Sequence, residues 1–370
     1  MLGYSKALWK EFMHDYFRAS TVLNRFSKTM MKRYKQEFST KLSDYLSIDL
    51  DDDFEIKSDI LRFKNDRILS ISDIMRAFYY KCINDANFEQ NFRSLVIESI
   101  HLIEETNPLE ATSSVFFREL LKLPKNVGKT LSSMNGFGFL DLLLPEFRDL
   151  NGFFQPGLYH CYTADEHSLI AVQNLENLTM QDNNIAKLFK SLPSHDLLYL
   201  AVILHDIGKP ISISGHEIIG AEIAASIMQS LGYGQSEILL VQFLVRNHLL
   251  MEQTAFRRDL KDPLTLDNFI SIFPSIKALD HLYLLSYADL SAVNPQVWTQ
   301  WKADLLFELY TKAKSMLQEE ISGEEVSISN SDENLNENDY SDNSKFTEHL
   351  EQIGDITYVF NFSRKEILEH

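Results

Sequence analysis

The sequence predicts a mainly all-α protein, a helical bundle preceded by a second helical region. Apolar residues return at helical spacing along residues 5–38, where Leu8, Phe12, Tyr16, Ala19 and Leu23 keep one face. The stretch Leu197 to Leu204 is apolar throughout, as a fully buried helix requires. Between residues 105 and 157 the helical pattern is interrupted at Asn107-Pro108, Pro124 and Gly136, and Asn151-Gly152 and Gln155-Pro156-Gly157 mark a connection.

Taken in order, residues 5–38 read as a packing helix. Residues 48–72 are the exception to helicity. Asp51-Asp52-Asp53 make a turn, and Phe54, Ile56, Leu61 and Phe63 alternate as short strands do. Residues 73–105 and 111–145 return to helix. The Asn151 to Gly157 connection then divides a first region, 1–150, from a second, 151–317. Beyond Leu317 acidic residues accumulate among Ser and Asn, with no Lys or Arg between Lys314 and Lys345. Such a stretch buries too little apolar area to offset its ordering entropy, so 318–370 is expected to be a disordered acidic tail, with Ile356 to Phe362 as a short strand at its end.

Composition narrows the function classes. A chain of 370 residues that is 45% hydrophobic can bury a sizeable core. Its two cysteines, Cys82 and Cys161, allow neither a disulfide framework nor a cysteine-rich zinc site. No apolar stretch is long enough to span a membrane, and the first residues lack a signal-peptide core, so a cytoplasmic protein without a membrane partner is expected. The formal net charge of -18 argues against nucleic acid as a partner, because backbone binding needs dense Lys and Arg.

The chemistry concentrates around His205-Asp206, which ends the apolar run. A His-Asp pair at the mouth of a buried helix places an imidazole and a carboxylate within reach of one ion, and mixed nitrogen and oxygen sets suit Mn, Mg, Fe or Zn. His167 falls in the first turns of one helix. His216 opens another, with Ile219, Ile223 and Ile227 along one face. His248 shares a face with Val241 and Val245, and Asp289 with Leu282 and Leu285. Polar groups on apolar faces need partners, and one or two divalent metal ions would satisfy all six together. Gly208 reads as a chain-turning glycine, and Lys209 either stabilises phosphate charge or is an ordinary helix-end lysine.

These residues stand in longer patterns. Tyr159-His160-Cys161-Tyr162-Thr163-Ala164-Asp165-Glu166-His167, Leu204-His205-Asp206-Ile207-Gly208-Lys209, Val245-Arg246-Asn247-His248 and the segment after Asp289 occur in one order. Together they resemble the HD metal-dependent phosphohydrolase superfamily, and within it the bifunctional PII uridylyltransferase/uridylyl-removing enzymes. Upstream, Phe12 to Ala19, Asn107-Pro108 and Leu144-Pro145-Glu146-Phe147 are similar to the helical region linking that family's two catalytic domains. The family's transferase domain carries a Gly-Ser pair followed by Asp-x-Asp. No Gly-Ser dipeptide occurs here, and Asp49 and Asp51 sit in an acidic loop. The resemblance therefore implies the hydrolase half alone, without the transferase and ACT domains.

What it implies chemically is a phosphodiester hydrolase. His167, His205, Asp206 and Asp289 would hold a first metal that polarises a phosphoryl oxygen and lowers the pKa of water. Asp206 would bridge to a second ion on His216 and His248, or those histidines would bind phosphate or shuttle protons. Arg257 and Arg258 would contact the substrate phosphate or form a salt bridge with Asp259. The implied reaction is release of UMP from a modified tyrosine on a PII-like signal protein. Hydrolysis of a free nucleotide or alarmone, and a non-catalytic metal-containing binding module, are the alternatives.

Overall fold

The computed structural model describes residues 9–36, 47–65, 67–103, 111–154, 162–293 and 298–332. Among them helices dominate, as the periodicity predicted, and the extended segment is confined to one small sheet. The Gln155-Pro156-Gly157 connection, the Asn107-Pro108 break, the tail beyond Asp332 and the strand expected at Ile356 to Phe362 lie outside the described residues.

The chain opens with α1 (Trp9–Gln36), then forms β1 (Ser47–Asp49), β2 (Phe54–Lys57) and β3 (Ile60–Phe63). These pair antiparallel in sequence order, with Ile56 opposite Leu61, and β4 (Asn87–Phe88) joins β3 in parallel. The turn before β2 is an Asx turn, in which the Asp51 carboxylate accepts the Asp53 and Phe54 amides, each at 2.8 Å. Phe54, Ile56 and Leu61 are buried, which is the alternation read from sequence.

Helix α2 (Ile71–Asn84) starts at a capping box. Asp73 N donates to Ser70 Oγ at 3.1 Å, and Ser70 N donates to Asp73 Oδ2 at 3.0 Å. Residues 73–105 were read as helical throughout. The structure interrupts them at Asp85, which takes φ 49°, before β4 and α3 (Gln90–Leu102). A left-handed residue closes the helix by letting its amide reach back to the last-turn carbonyls.

Asp73 also accepts Arg67 at 2.6 and 3.1 Å and Arg76 at 3.1 Å. Burial would raise its pKa, but the Arg67 and Ser70 hydrogen bonds outweigh that and hold it at about 2. Its folded value lies below its unfolded one. The stabilisation is thus fully present above the ordinary carboxylate range and is lost as pH falls toward 2. We expect Asp73→Asn to cost about 2 kcal/mol at pH 5 and almost nothing at pH 2. Urea unfolding of both proteins at the two pH values checks this, and an equal gap at both would refute it.

Next come α4 (Ala111–Leu121), α5 (Val127–Phe137), α6 (Phe139–Leu143) and a 3-10 turn at Pro145–Leu150. The interruption expected at Gly136 occurs two residues later. Gly136 lies inside α5, and Gly138, at φ 77°, makes the left-handed link to α6. The remaining helices are α7 (Ala164–Asn177), α8 (Asn184–Ser191), α9 (Asp196–Leu204), α10 (His216–Ser230), α11 (Gln235–Arg246), α12 (Leu250–Arg257), α13 (Pro263–Ile270), α14 (Ile276–Val293) and α15 (Gln300–Asp332).

Two compact units result, one within Met1–Leu249 and Leu284–Thr299, the other within Leu250–Tyr283 and Gln300–His370. In the first, every residue of α9 is buried, and α7, α10 and α11 pack around it. Each large aliphatic side chain buried there contributes ~1.5–3 kcal/mol. Glu176 on α7 accepts the Val127 and Gly128 amides at 2.9 and 3.1 Å, which caps α5 and locks it onto α7. Asn174 Nδ2 donates to Ser291 Oγ at 3.0 Å and ties α7 to α14.

In the second unit Leu306, Leu309, Ala313 and Leu317 form the buried stripe of α15. Asp280 accepts Tyr310 Oη at 2.7 Å and Lys314 Nζ at 2.8 Å. Helix α15 runs past Leu317, where composition alone would end order, because propagating an existing helix adds a hydrogen bond for each residue it fixes. No helix of the described residues is long and apolar enough to cross a membrane.

Candidate metal centre

Five of the six expected metal ligands are placed by helix ends. His167 sits in the first turn of α7, whose start is held by a buried carboxylate. Asp165 accepts Asn135 Nδ2 at 3.0 Å and Gly152 N at 3.1 Å. His205 caps the C-terminus of α9, and Asp206 follows it. His216 is the first residue of α10, after Gly215 at φ 75°. His248 was expected within a helix. It lies instead in the turn just beyond α11, which ends at Arg246. Asp289 alone comes from mid-helix, on α14.

All six belong to the first unit and converge. His167 Nε2 is 2.9 Å from Asp289 Oδ1, and His205 Nε2 is 3.6 Å from the same oxygen. His216 Nε2 is 3.2 Å from His248 Nε2 and 3.5 Å from Asp206 Oδ1, which lies 3.9 Å from His248 Nε2. Asp206 therefore belongs to one trio, with His216 and His248, and turns its other oxygen toward the second, His167, His205 and Asp289, at 3.3 Å from His205 Nε2. Donors ~2.1 Å from a common ion would be separated by about these distances.

The histidine hydrogen bonds fix which nitrogen faces inward. His205, His216 and His248 each place Nδ1 against a carbonyl three residues back, Val202 O at 2.7 Å, Ile213 O at 2.9 Å and Val245 O at 2.7 Å. A carbonyl can only accept, so each Nδ1 carries its proton and Nε2, which is bare whenever the ring is neutral, is the nitrogen turned toward Asp206. Two such lone pairs facing one another across 3.2 Å, as on His216 and His248, repel unless a cation lies between them or one ring is protonated. His205 Nε2 and Asp206 Oδ1 are buried and make no hydrogen bond within the protein. Orphaned acceptors of this kind are costly unless an ion satisfies them, and the donor set fits a divalent metal.

The electrostatics show how strongly the two carboxylates draw positive charge into the cluster. Burial opposes charge on His205, but the Asp206 and Asp289 carboxylates outweigh it and push its pKa up to about 10. Burial, with repulsion from His205, pushes His248 down to about 4, which keeps its lone pair available. Burial alone would raise Asp206 and Asp289. The charge on His205, aided by Lys209 at Asp206 and by the His167 hydrogen bond at Asp289, instead holds both well below the usual carboxylate range. The cluster opens at Asp289, whose side chain is 20% exposed while those of the other five are 8% or less.

Lys209 reaches Asp206 Oδ2 at 2.6 Å, which brings it into the cluster rather than leaving it as a bare helix-end charge. Arg257 and Arg258 lie in the second unit, at the end of α12. Arg257 faces Glu252 at 3.7 Å, and Asp259, its expected partner, accepts Lys261 N instead. Sequence reading missed the supports. Asp165 was given no role from sequence, since its contacts, Asn135 and Gly152, come from other segments. Gly208 lies in a turn, as read from sequence, but its backbone is not left-handed. Its role is close approach, since a Cβ there would lie 2.3 Å from His216 O and 2.9 Å from Gly220 N. The buried stripe of α10 is accordingly His216, Gly220, Ala221, Ala224, Ile227 and Met228, with Ile219 and Ile223 only half-buried.

The sequence is similar to those of known proteins. Residues 164–280 match the HD domain family. Over 316 residues the chain is 32% identical to the bifunctional uridylyltransferase/uridylyl-removing enzyme of Methylococcus capsulatus, covering 83% of this chain and 36% of that protein. The enzyme of the same name from Legionella pneumophila is 30% identical over 339 residues, covering 86% of this chain and 38% of the relative. That from Azotobacter vinelandii is 37% identical over 223 residues, 59% of this chain and 25% of the relative. The chain thus spans well under half the length of these relatives.

Proposed function

We propose, from the premise that this chain carries an HD domain of the metal-dependent phosphohydrolase type, that it is a phosphodiester hydrolase of the uridylyl-removing kind, releasing UMP from a modified tyrosine on a PII-like signal protein. The observation that carries this reading is the set of three histidines whose Nδ1 protons are tied to carbonyls while their Nε2 atoms converge on one buried carboxylate. In this reading His167, His205, Asp206 and Asp289 hold one divalent ion, and Asp206, His216 and His248 hold a second. A bound Mn, Mg, Fe or Zn ion would supply Lewis acidity toward a phosphoryl oxygen and a water of lowered pKa.

The chain's own groups set the terms for substrate. Asp206 and Asp289 repel a phosphate, so the diester binds well only when cationic charge offsets them, and Lys209 contributes part of that charge. The imidazoles are held rigidly by their carbonyl bonds, so little reorganisation accompanies binding. Entry is past Asp289, the exposed side of the cluster. The cysteine-poor composition supports a cytoplasmic setting.

Purified chain with Mn, assayed against uridylylated PII and against a panel of free nucleotides including guanosine tetraphosphate, tests the proposal. UMP release from uridylylated PII is the expected result. Turnover of free nucleotides alone would replace it with a nucleotide hydrolase, and metal binding without turnover of any kind would replace it with a binding module.

A further inference from the structure

Three of the four histidines in the cluster are aimed by their own turns, through the Nδ1 bonds to Val202, Ile213 and Val245. His167 is not. Its ring meets Asp289 through Nε2 at 2.9 Å and stands T-shaped against His205 at a centroid distance of 5.4 Å, and among the described residues no carbonyl accepts from its Nδ1. Both contacts are with other ligand-type side chains of the cluster, so neither fixes the ring from outside. What remains is the backbone, and a histidine in the first turn of a helix stands where that turn stands.

The first turn of α7 is held by other segments. Thr163, at the N-cap, makes no side-chain bond to the helix. Asp165 supplies the anchor instead. Its Oδ2 accepts Asn135 Nδ2, from the last turn of α5, and its Oδ1 accepts Gly152 N. Ala164 N donates to Phe153 O at 2.9 Å beside them. Asp165 is 5% exposed, and among the described residues no Lys or Arg pairs with it. A buried carboxylate on neutral donors is costly, offset in part by the positive end of α7, but each of its bonds is charge-assisted and stiff. Glu176, late in α7, grips the start of α5, so the two helices are pinned together at both ends.

We infer that Asp165 is a positioning residue for His167, doing through the α7 backbone what a carbonyl bond does for the other three histidines. This rests on the metal-dependent reading above and concerns one trio, His167, His205 and Asp289. Without Asp165 the first turn of α7 shifts and carries His167 with it. His216 and His248 keep their own carbonyl bonds, so the trio they form with Asp206 stays in place.

Calorimetric titration of the purified chain with Mn tests this, with His167→Ala and His248→Ala assigning each Mn-binding step to its trio. We expect Asp165→Ala to weaken the step lost in His167→Ala by about tenfold or more, and to leave the step lost in His248→Ala nearly unchanged. Asp165→Asn should restore most of the affinity, because its oxygen still accepts Gly152 N and its amide can donate to Asn135 once that carboxamide turns over. Asn135→Ala, which keeps the Asp165 charge, should weaken the same step by a smaller factor, and it carries the test if Asp165→Ala does not fold. Steps that are unchanged, or equally weakened, in the variant that carries the test overturn the inference, the second by showing a general structural role. Asp165→Asn no better than Asp165→Ala overturns it by showing that charge acts rather than position. Loss of one and the same step in both histidine variants overturns the separation of the trios on which it depends. Wild type that takes up no Mn sinks the metal reading itself and the inference with it.

Discussion

Asp206→Ala is expected to abolish metal uptake and, with it, turnover. Asp206 directs one oxygen toward His216 and His248 and the other toward His205 and Lys209, so its removal disrupts both trios at once. Replacing groups that merely orient metal ligands costs ~10–100-fold in affinity or activity, and loss of a shared carboxylate should exceed 100-fold or so. The variant also leaves His205 with Asp289 as its remaining carboxylate neighbour, which weakens the field that holds a cation there. Isothermal titration with Mn and a phosphodiesterase assay check the expectation, with circular dichroism to show that the helices persist. Wild-type Mn stoichiometry together with full activity would refute the assignment of this residue.

Gly208→Ala should be nearly as damaging although Gly208 holds no ligand atom. A Cβ at this position meets backbone on two sides, His216 O at 2.3 Å and Gly220 N at 2.9 Å. Backbone cannot rotate away as a side chain can, so the start of α10 must shift and carry His216 with it. Overpacking of this sort typically costs ~1–3 kcal/mol. A displacement near 1 Å at a reacting centre can cost roughly 100-fold in rate. We therefore expect a lowered Tm and a large loss of activity, out of proportion to the loss of stability. Gly215→Ala is the contrasting control. Gly215 has φ 75° but open space around its Cβ, so strain of ~1–2 kcal/mol should arise without displacing His216. Wild-type activity in Gly208→Ala would show that α10 tolerates the shift.

Much of the site was legible because its residues interrupt otherwise apolar patterns. His205-Asp206 ends a run whose every member is buried, and a charged pair there needs a partner whatever the surrounding topology. His167, His216 and Asp289 fall on the helices where periodicity put them. The errors arose where local pattern and tertiary demand diverge. His248 has helical spacing from Val241 and Val245, yet α11 stops at Arg246, and the turn that follows aims the ring through its bond to Val245 O. The isoleucines of α10 look like a core stripe. The face is instead chosen by the need to press Gly220 against Gly208, which favours small residues there.

The amino-acid order alone thus determined the all-α class, the six ligand-type side chains and the mixed nitrogen and oxygen chemistry, since these follow from periodicity and from the cost of burying polar groups. Only the tertiary structure decided how they divide into two trios around Asp206, which ring nitrogens face inward and what holds the helix starts in place. The first depends on contacts between separate helices, such as His167 with Asp289 at a separation of 122, the second on the turns that bring each histidine ring onto a carbonyl three residues back, and the third on side chains from other helices and loops, none of which periodicity encodes.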